Sequence, residues 1–290
     1  MKPIMELRQL KYFITSADTL NFTEAARQCF ITQSTLSQQI KQLETELGVQ
    51  LFERIGKRVF LTETGRNFLP YARQTVADAN CGVQRIKDME ELKTGRLCIG
   101  TTFGLSALIT DAIARFSEQY PSIQLEVKFL KQDELIEAVR VRKVDFALTF
   151  EMMEKDDVLA EVPVKTYHLC AIVSDDNPLA QQATVSLRQL ADYNICTPAR
   201  GMNARRMFDA LRKKKEIDLQ PKLEINEIHT LLHLVRTGRW VAILVDSIIH
   251  GEEGLCAVPL REAALPMPVV WLYPRDMYIR KAMQKFMELI

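Results

Sequence analysis

A run of short polar residues near the start of one helical segment has the chemistry needed to read DNA bases. Residues 32–47 read TQSTLSQQIKQLETEL. A glutamine amide can form two hydrogen bonds with adenine, serine and threonine hydroxyls can donate or accept, and a threonine methyl can contact the methyl group of thymine. An ordinary solvated helix face has a similar composition, so the neighbouring elements must decide between the two interpretations. The residues concerned are Gln33, Ser34, Thr35, Ser37 and Gln38.

Four basic residues close to this segment are candidate phosphate contacts, which position a protein on DNA without reading its sequence. They are Lys41, Arg54, Lys57 and Arg58. The charge balance alone does not indicate DNA binding. The first 62 residues contain eight Lys or Arg and six Asp or Glu, a net of +2, and the whole chain has a net charge of +1. The hypothesis therefore rests on the order of the elements.

Three short helices are predicted around the polar run. Residues 6–17 carry apolar residues at helical spacing, and Asn21 followed three residues later by Glu24 is typical of a helix cap. After a tight turn, Thr32 is predicted to cap a third helix at residues 33–46. Three helices with a tight turn between the last two are typical of a helix-turn-helix, whose last helix meets base edges with its first turns.

The third helix has an apolar stripe for packing, and a basic hairpin follows it. The stripe is formed by Leu36, Ile40, Leu43 and Leu47. The next segment, FERIGKRVFLTETG, predicts two short strands around Gly56 with the basic residues at their tip. This pattern indicates a wing beside the recognition helix.

A long helix is predicted over about residues 64–92. Its apolar positions are spaced three and four residues apart, a heptad period typical of a helix that pairs with a partner helix. Packing of this helix on its own domain is the alternative, and we favour dimerisation because the stripe is narrow. The positions are Leu69, Ala72, Val76, Ala79, Val83 and Ile86.

Beyond Gly95 the pattern changes to alternating strands and helices, which predicts a mostly parallel sheet with covering helices. A second α/β unit follows, with predicted helices that include SLRQLADY (186–193) and NARRMFDALRKKK (203–215). A final amphipathic helix is predicted over residues 276–290. A small ligand is expected in the crevice between the two units, at the carboxyl ends of the strands.

Composition excludes several classes of protein. A chain of 290 residues with 47% hydrophobic and 26% charged residues is typical of a globular protein of about two domains. The sequence shows neither a signal peptide nor an apolar run long enough to span a bilayer, so a cytoplasmic protein without a membrane partner is expected. The six cysteines are scattered and lack metal-site spacing, which fits a reducing compartment.

The chain carries no recognisable catalytic or metal-binding motif, and neither a metal nor a cofactor is expected. His229 and His233 lie four residues apart on one predicted helix, but the HExxH glutamate and a third ligand are missing. The P-loop, G-x-G-x-x-G and G-x-S-x-G patterns are also missing. An enzyme is therefore not expected.

Residues 5–66 resemble the winged helix-turn-helix of LysR-type transcriptional regulators. The resemblance rests on MELRQLKYF, NFTEAARQCFITQSTLSQQIKQLETELGVQLFER and LTETGR, which stand in family order, and it extends to the C-terminus. It implies an α/β chain with an all-α N-terminal part and a Rossmann-like effector domain of two subdomains, similar to type II periplasmic binding proteins. The expected parts are a DNA-binding domain (1–62), a linker helix (63–94) and a regulatory domain (95–290), with subdomain I at about 95–161 and 267–290 and subdomain II at about 162–266.

The resemblance also implies function and partners. The expected protein is a bacterial, sequence-specific regulator that binds double-stranded DNA under allosteric control by a small-molecule effector of unknown identity. It forms a homodimer through the linker helix and a homotetramer as a dimer of dimers, with RNA polymerase as a candidate partner. The five polar residues fall where the family contacts the major groove, and Lys57 falls in the wing. Many members carry Arg at the position of Gln38, so the amide here predicts a shift in preference from guanine towards adenine.

The same resemblance places effector contacts at strand ends and loops of both subdomains. Lys131, Arg200 and Arg205 are candidates to bind a carboxylate, although Arg205 and Arg206 are equally explained as a solvated helix face. Phe103 stands where a small hydroxyl residue is common, and Asp246 where proline is frequent. The implied effector-binding residues are Thr101, Thr102, Phe103, Lys131, Gln132, Thr197, Pro198, Arg200, Arg205, Asn226 and Ile228.

Two further functions compete with this interpretation. Peroxide-sensing family members use two cysteines flanking a loop near Thr197–Arg205, but here Gly201 occupies that stretch, a second cysteine does not follow, and Cys196 is expected to be buried. A solute-binding protein would share the α/β lobes, but it should begin with a signal peptide and not with a helix-turn-helix.

Overall fold

The computed structural model describes residues 5–55, 58–88, 95–152, 154–262 and 266–290. Only the backbone is described for residues 54, 55, 58, 81 and 84–88. The chain divides into two compact units: the first is Met1–Glu91 together with Arg140–Lys143, and the second is the remainder from Leu92 to Ile290.

The first unit opens with the three predicted helices: α1 (Leu7–Thr19), α2 (Phe22–Gln28) and α3 (Gln33–Leu47). Both predicted caps are confirmed. The Asn21 side chain accepts hydrogen bonds from the first-turn amides of α2, and the Thr32 hydroxyl accepts from an amide in the first turn of α3. Each cap satisfies backbone donors that lack a partner within the helix, so the sequence determines where α2 and α3 begin.

The apolar stripe of α3 packs into an aromatic core. Phe52 contacts Phe13 with ring centroids 5.5 Å apart and Phe22 at 5.2 Å, both edge to face. The stripe prediction is wrong at its last position, because the Leu47 side chain is 37% exposed. The buried members of the stripe are Leu36, Ile40 and Leu43.

The predicted wing is confirmed as an antiparallel hairpin of β1 (Phe52–Ile55) and β2 (Arg58–Leu61). Its position against α3 is fixed by Glu44, whose Oε1 accepts hydrogen bonds from the backbone amides of Leu51 (2.8 Å) and Phe52 (3.1 Å). One carboxylate on the recognition helix thereby holds the start of the wing.

The linker helix is α4 (Glu63–Asp88). The first half of its heptad stripe packs on its own unit, since Ala72 is buried in the helical core and Leu69 and Val76 pack against that core. For this half, the expectation that the stripe needs a partner helix is wrong. Val83, farther along, is 55% exposed and is free of this core.

The second unit consists of strands and helices in two lobes. Its strands are β3 (Gly95–Thr101), β4 (Ile123–Phe129), β5 (Phe146–Phe150), β6 (Leu159–Tyr167), β7 (Leu169–Ser174), β8 (Asn194–Pro198), β9 (Leu223–Ile225), β10 (Trp240–Val245), β11 (Leu255–Pro259) and β12 (Met267–Pro274). Its helices are α5 (Ser106–Gln119), α6 (Gln132–Arg140), α7 (Asn203–Lys215), α8 (Ile228–Arg236) and α9 (Lys281–Met287).

Each lobe is built on one five-stranded sheet, with strand order β4-β3-β5-β12-β6 in the first and β11-β7-β10-β8-β9 in the second. The prediction of mostly parallel sheets is only half right. In each sheet three strands are parallel neighbours (β4-β3-β5 and β10-β8-β9), and the two remaining strands pair antiparallel. Strands β6 and β11 were not predicted.

Two predicted helices differ from the structure. The segment SLRQLADY is not an α-helix and contains only a short 3₁₀ turn at Gln189–Asp192, where the Gln189 side chain accepts a hydrogen bond from the Ser186 amide. The C-terminal helix is shorter than predicted, because α9 begins at Lys281.

The chain passes from the first lobe to the second at His168 and returns between β11 and β12. Because β6 runs to Tyr167 within the first sheet, the predicted boundary at residue 161 is six residues too early. The crossover is tied to the second lobe by two hydrogen bonds of 3.0 Å: the His168 amide donates to the Asp246 carboxylate, and the Asp246 amide donates to the His168 carbonyl.

The start of α4 packs so closely on the wing that a side chain at Gly65 would clash. A β-carbon there would lie 2.1 Å from the Leu51 carbonyl oxygen, whereas one at Gly82 on the same helix meets no described atom within 4 Å. We expect Gly65→Ala to lower the free energy of unfolding by about 1–3 kcal/mol and Gly82→Ala to raise it by about 0.5–1 kcal/mol. Urea denaturation followed by circular dichroism tests this pair. Equal stabilities of the two variants would contradict the described packing.

Candidate DNA-binding surface and effector cleft

The predicted reading residues lie together on one side of α3. Four of the five are exposed and Ser37 is half-buried, while the apolar stripe faces the core. This amphipathic division leaves the first turns of the helix available to a major groove, which is wide enough to admit a helix.

Hydrogen bonds order the hydroxyl groups at the start of α3. The Thr32 hydroxyl lies 2.9 Å from that of Ser34 and 2.8 Å from that of Thr35. The Gln33 amide donates to the Ser37 hydroxyl at 2.8 Å. These contacts restrict side-chain rotation before any partner binds, which reduces the entropy cost of recognition.

The predicted phosphate contacts are only partly described. Lys41 is exposed on α3, while Arg54 and Arg58 lie on the two wing strands at positions where only the backbone is described, and Lys57 falls outside the described residues. The wing geometry is therefore confirmed, and the role of its cations stays a prediction.

The Arg27 cation on α2 is neutralised by its neighbour. Its guanidinium donates to both carboxylate oxygens of Glu24, at 2.9 and 2.7 Å. The hydrogen bond from Arg27 lowers the pKa of the Glu24 carboxyl to about 2. The carboxylate thus stays ionised at neutral pH, and α2 presents a neutral pair and not a free cation.

A narrow cavity lies between the two lobes of the second unit. Five of the predicted effector residues line it: Thr102, Phe103, Lys131, Pro198 and Ile228. Most of the apolar wall was not predicted from the sequence; it comes from β5, β10 and the start of α7. The remaining lining residues are Gly104, Leu130, Phe150, Met202, Asn203, Ala204, Leu244, Val245 and Ile248.

Unpaired hydroxyl groups lie at the strand ends of the first lobe. The Oγ1 atoms of Thr101, Thr102 and Thr149 are buried and lack a hydrogen-bond partner among the described residues, and Thr102 lines the cavity. A buried polar group without a partner costs free energy, so such a group in a cavity wall calls for a bound water or ligand. Thr102 is consequently the residue that best marks the cavity as a binding site.

The charged side chains near the cavity differ in whether they can contact a ligand bound in it. Lys131 is exposed and lines it, whereas Arg200 is exposed but does not. Arg205 is buried, and its guanidinium donates to the Thr197 hydroxyl at 3.0 Å and forms ion pairs with other residues. Its partners in these pairs are Asp209 (2.9 Å) and Glu224 (2.8 Å).

Arg205 is therefore a structural residue in this conformation, which differs from both expected roles, a carboxylate contact and part of a solvated helix face. Thr197 is buried beside it, and Asn226 is exposed outside the cavity lining.

Gln132 joins the two lobes at one side of the cavity. Its Nε2 donates to the Phe150 carbonyl in the first lobe at 2.8 Å. Its Oε1 accepts hydrogen bonds from Asn203 and Arg206 on α7 of the second lobe, both at 2.7 Å. Arg206 also pairs with Asp133 at 3.2 Å. The residue predicted to bind effector thus links the lobes across the cleft; we call this group of contacts the inter-lobe latch.

Gln132 contributes most to the latch. The Arg206–Asp133 pair is exposed to solvent, and exposed ion pairs stabilise by only about 0–1 kcal/mol. Gln132 is 6% exposed and accepts a charge-assisted hydrogen bond, and burial makes the loss of such a contact costlier. A separate contact also joins the lobes, since the Ser247 hydroxyl of the second lobe donates to the Gly104 carbonyl of the first at 2.6 Å.

The thiols near the cleft are poorly placed for redox chemistry. Cys196 is buried in β8 and donates a weak hydrogen bond to the Val241 carbonyl at 3.6 Å. Burial raises the pKa of this thiol to about 12, and it raises the pKa of Cys170 to about 12 as well. The reactive species is the thiolate, so these cysteines behave as apolar core residues.

The described residues offer neither a metal-binding cluster nor a membrane-spanning helix. Within the ranges given above, no cluster of three His, Cys, Asp or Glu side chains could hold a metal ion. No helix of the described part is long and apolar enough to cross a bilayer.

Comparison with known proteins assigns the chain to a family. Residues 90–290 match the LysR substrate binding domain, and residues 7–66 match the bacterial regulatory helix-turn-helix protein, lysR family. The chain therefore belongs to the LysR family of transcriptional regulators, with a helix-turn-helix DNA-binding domain and an effector-binding domain.

Individual relatives align along the full chain. The HTH-type transcriptional regulator BsdA of Bacillus subtilis is 28% identical, with 98% of this chain and 100% of BsdA covered. A probable nitrogen assimilation transcriptional activator of Synechococcus elongatus is 29% identical over 98% of this chain and 94% of its own length.

Solved structures share the fold. A full-length cysteine variant of OxyR from Pseudomonas aeruginosa has a TM-score of 0.77 at 20% identity, with 99% of this chain and 95% of OxyR covered. CbnR complexed with its target DNA has a TM-score of 0.65 at 21% identity, with 99% of both chains covered.

The latch makes a testable prediction about lobe closure. Gln132→Leu keeps the side-chain volume but leaves Asn203, Arg206 and the Phe150 carbonyl without their partner, so we expect the lobes to separate more often. Hydrogen–deuterium exchange of the backbone amides at the start of α7 and the end of β5 should accelerate by about 5- to 150-fold, corresponding to about 1–3 kcal/mol. The matched control is Gln220→Leu, because the Gln220 amide contacts only its neighbour Asp218 in the described structure. Unchanged exchange in the Gln132 variant would show that the latch does not hold the lobes together.

Proposed function

We propose that this LysR-type regulator reads DNA through the exposed face of α3 and is controlled by a small anionic effector bound between its lobes. The observation that carries the effector assignment is the unpaired, buried Thr102 hydroxyl in the wall of the inter-lobe cavity. The chain acts by binding and conformational coupling, without a catalytic step.

The DNA-reading role is supported by the polarity and order of the α3 surface. Gln33, Ser34, Thr35, Ser37 and Gln38 supply hydrogen-bonding groups to base edges. An amide at Gln38 suits adenine, whose N6 and N7 offer one donor and one acceptor side by side. Phosphate contacts from the predicted cations at Lys41 and in the wing would then fix the register of the helix.

The chemistry of the cavity supports an effector with an apolar body and one negative group. Most of the lining is apolar, which favours a hydrocarbon or aromatic portion, while Lys131 can neutralise an anion and Thr102 can donate a hydrogen bond to it. Arg205 is left out of this proposal because its guanidinium is already paired with two carboxylates.

Control follows from the contacts that join the lobes. A ligand shifts a conformational equilibrium only by its difference in affinity for the two states, and such couplings are typically about 1–3 kcal/mol. The inter-lobe latch stabilises the lobes by an amount of the same order, so an effector that contacts both lobes can compete with it or reinforce it.

A homodimer through α4, assembled into a tetramer as a dimer of dimers, is part of the proposal. The exposed Val83 and Tyr71 side chains on α4 support it, since large apolar groups on a surface helix favour association. RNA polymerase is the partner through which bound regulator would alter transcription.

The adenine assignment is tested by Gln38→Arg. A guanidinium pairs best with guanine, so we expect one position of the site to change its preference from adenine to guanine by about 1–3 kcal/mol. The measurement is a gel shift with duplexes that the wild-type protein selects from a random library, varied one base pair at a time. Lys41→Met is the control: it should weaken all duplexes alike and reduce the salt dependence by about one phosphate contact. An unchanged base preference in the Gln38 variant would refute the assignment.

The anionic effector is tested by thermal shift with organic acids and their neutral amides. A ligand at 100 times its Kd stabilises the protein by about 2.7 kcal/mol, enough to raise Tm measurably. We expect acids but not amides to raise Tm, and Lys131→Met to abolish the response. Lys222→Met is the control, because this exposed lysine pairs with Asn194 in the same unit. A response that survives in Lys131→Met would place the anion elsewhere.

A further inference from the structure

Phe30 occupies an unusual position between α2 and α3. The end of α2 forms a Schellman motif: the Ile31 amide donates to the Ala26 carbonyl at 3.0 Å and the Phe30 amide donates to the Arg27 carbonyl at 3.2 Å. In this motif the residue after the helix cap adopts the left-handed conformation, and Phe30 has φ = 56°. Glycine is the residue that usually fills this position, because it lacks the Cβ that makes the conformation costly.

Packing of the Phe30 side chain within its own unit does not offset the cost of this left-handed backbone conformation. It is 95% exposed, the highest value among the exposed large apolar residues of the described chain. The next residue, Ile31, packs against the helical core and supplies the hydrophobic contact that accompanies a Schellman motif. A strained backbone and a fully solvated aromatic ring together point to a contact outside the monomer.

The position of Phe30 along the chain identifies the kind of partner. Three residues span at most about 11 Å, so the Cα atom of Phe30 lies within that distance of Gln33, the first residue of the reading face. The major groove is about 12 Å wide. When α3 enters the groove as proposed above, a residue this close to its N-terminus lies at the wall of the groove, where deoxyribose carbons and thymine methyl groups are exposed.

We propose that Phe30 is a DNA-contacting residue whose ring packs on the apolar surface of DNA at the edge of the major groove. Aromatic rings contact thymine methyl groups in known readout chemistry, and deoxyribose presents the same kind of surface. The contact adds apolar area to an interface that is otherwise made of hydroxyl, amide and cationic groups. This inference rests on the proposed placement of α3 in the groove.

Phe30→Asn separates a DNA contact from a structural role. Asparagine tolerates the left-handed conformation, so the variant should fold and its Tm should equal or exceed that of the wild type. On duplexes that the wild-type full-length protein selects from a random library, its affinity should fall by about 5- to 30-fold, the loss expected from partial burial of an aromatic ring. Glu216→Asn is the matched control, because Glu216 has φ = 51° at the end of α7 in the other unit. It should relieve similar strain and leave DNA affinity unchanged.

Duplexes with deoxyuridine in place of thymidine, which lack the thymine methyl group, show which of the two apolar surfaces of DNA the ring contacts. If the wild type loses affinity on the uracil duplex and Phe30→Asn does not, the ring contacts a thymine methyl group. If Phe30→Asn is weaker by the same factor on both duplexes, the ring contacts deoxyribose. Wild-type affinity in Phe30→Asn overturns the proposal, and a lower oligomer mass by light scattering with unchanged DNA affinity would assign the ring to a protein contact. If the wild type selects no duplex, the placement of α3 fails, and this inference with it.

Discussion

Burial of the α3 stripe against the aromatic core is the interaction on which DNA recognition depends. A helix of 15 residues has marginal stability in water, and its orientation comes from the apolar face that it buries. Leu36, Ile40 and Leu43 are almost completely buried, so rotation of α3 about its axis would expose them. The polar residues at Gln33–Gln38 face outward because the stripe faces inward. The carboxylate of Glu44 then uses the same helix to hold the wing, so the recognition helix and the wing form one rigid surface.

The second unit depends on a different constraint, the pairing of buried polar groups. In each lobe, parallel strands end at the same edge of the sheet, and the structure places these edges on the two sides of one cavity. Polar groups at such an edge must find partners. The Gln132 side chain forms hydrogen bonds with both lobes, whereas the Thr102 hydroxyl has no hydrogen-bond partner among the described residues. The satisfied group holds the lobes together and the unsatisfied group leaves a place for a ligand. The need of buried polar atoms for hydrogen-bond partners thus accounts for both the contact between the lobes and the proposed ligand site.

The features that could be predicted from sequence are those determined by neighbours in the chain. The caps at Asn21 and Thr32 act within three residues, and the starts of α2 and α3 were predicted for this reason. Strand β6 was missed because Pro163 interrupts its pattern and it lies at a sheet edge, where proline is tolerated. A helix was wrongly predicted at 186–193, where Ser186 and Gln189 form the reciprocal hydrogen bonds of a capping box but only a short 3₁₀ turn follows.

The site residues were predicted less well than the elements, because their partners are distant in sequence. Nothing near Arg205 in the sequence indicates that Glu224, on strand β9, will pair with it. The role of Gln132 depends on residues 71 and 74 positions farther along the chain. A strand-end location therefore identified the cavity correctly, but it did not distinguish a side chain that points into the cavity from one that links the lobes.

The charge distribution favours the proposed dimer over a single DNA-binding domain that acts alone. The DNA-binding region has a net charge of only +2, and its Arg27 is neutralised by Glu24. With about four predicted cations in each DNA-binding domain, here called a head, the salt-dependent part of the affinity is modest, since each phosphate contact changes the slope of log K against log salt by about 0.9. Two linked heads gain affinity through effective concentration, provided that their separation matches the spacing of the half-sites. In the proposed dimer, the separation of the heads therefore becomes the quantity that controls binding. Weak individual heads make this control sensitive, because a strongly basic head would remain on DNA whatever the position of its partner.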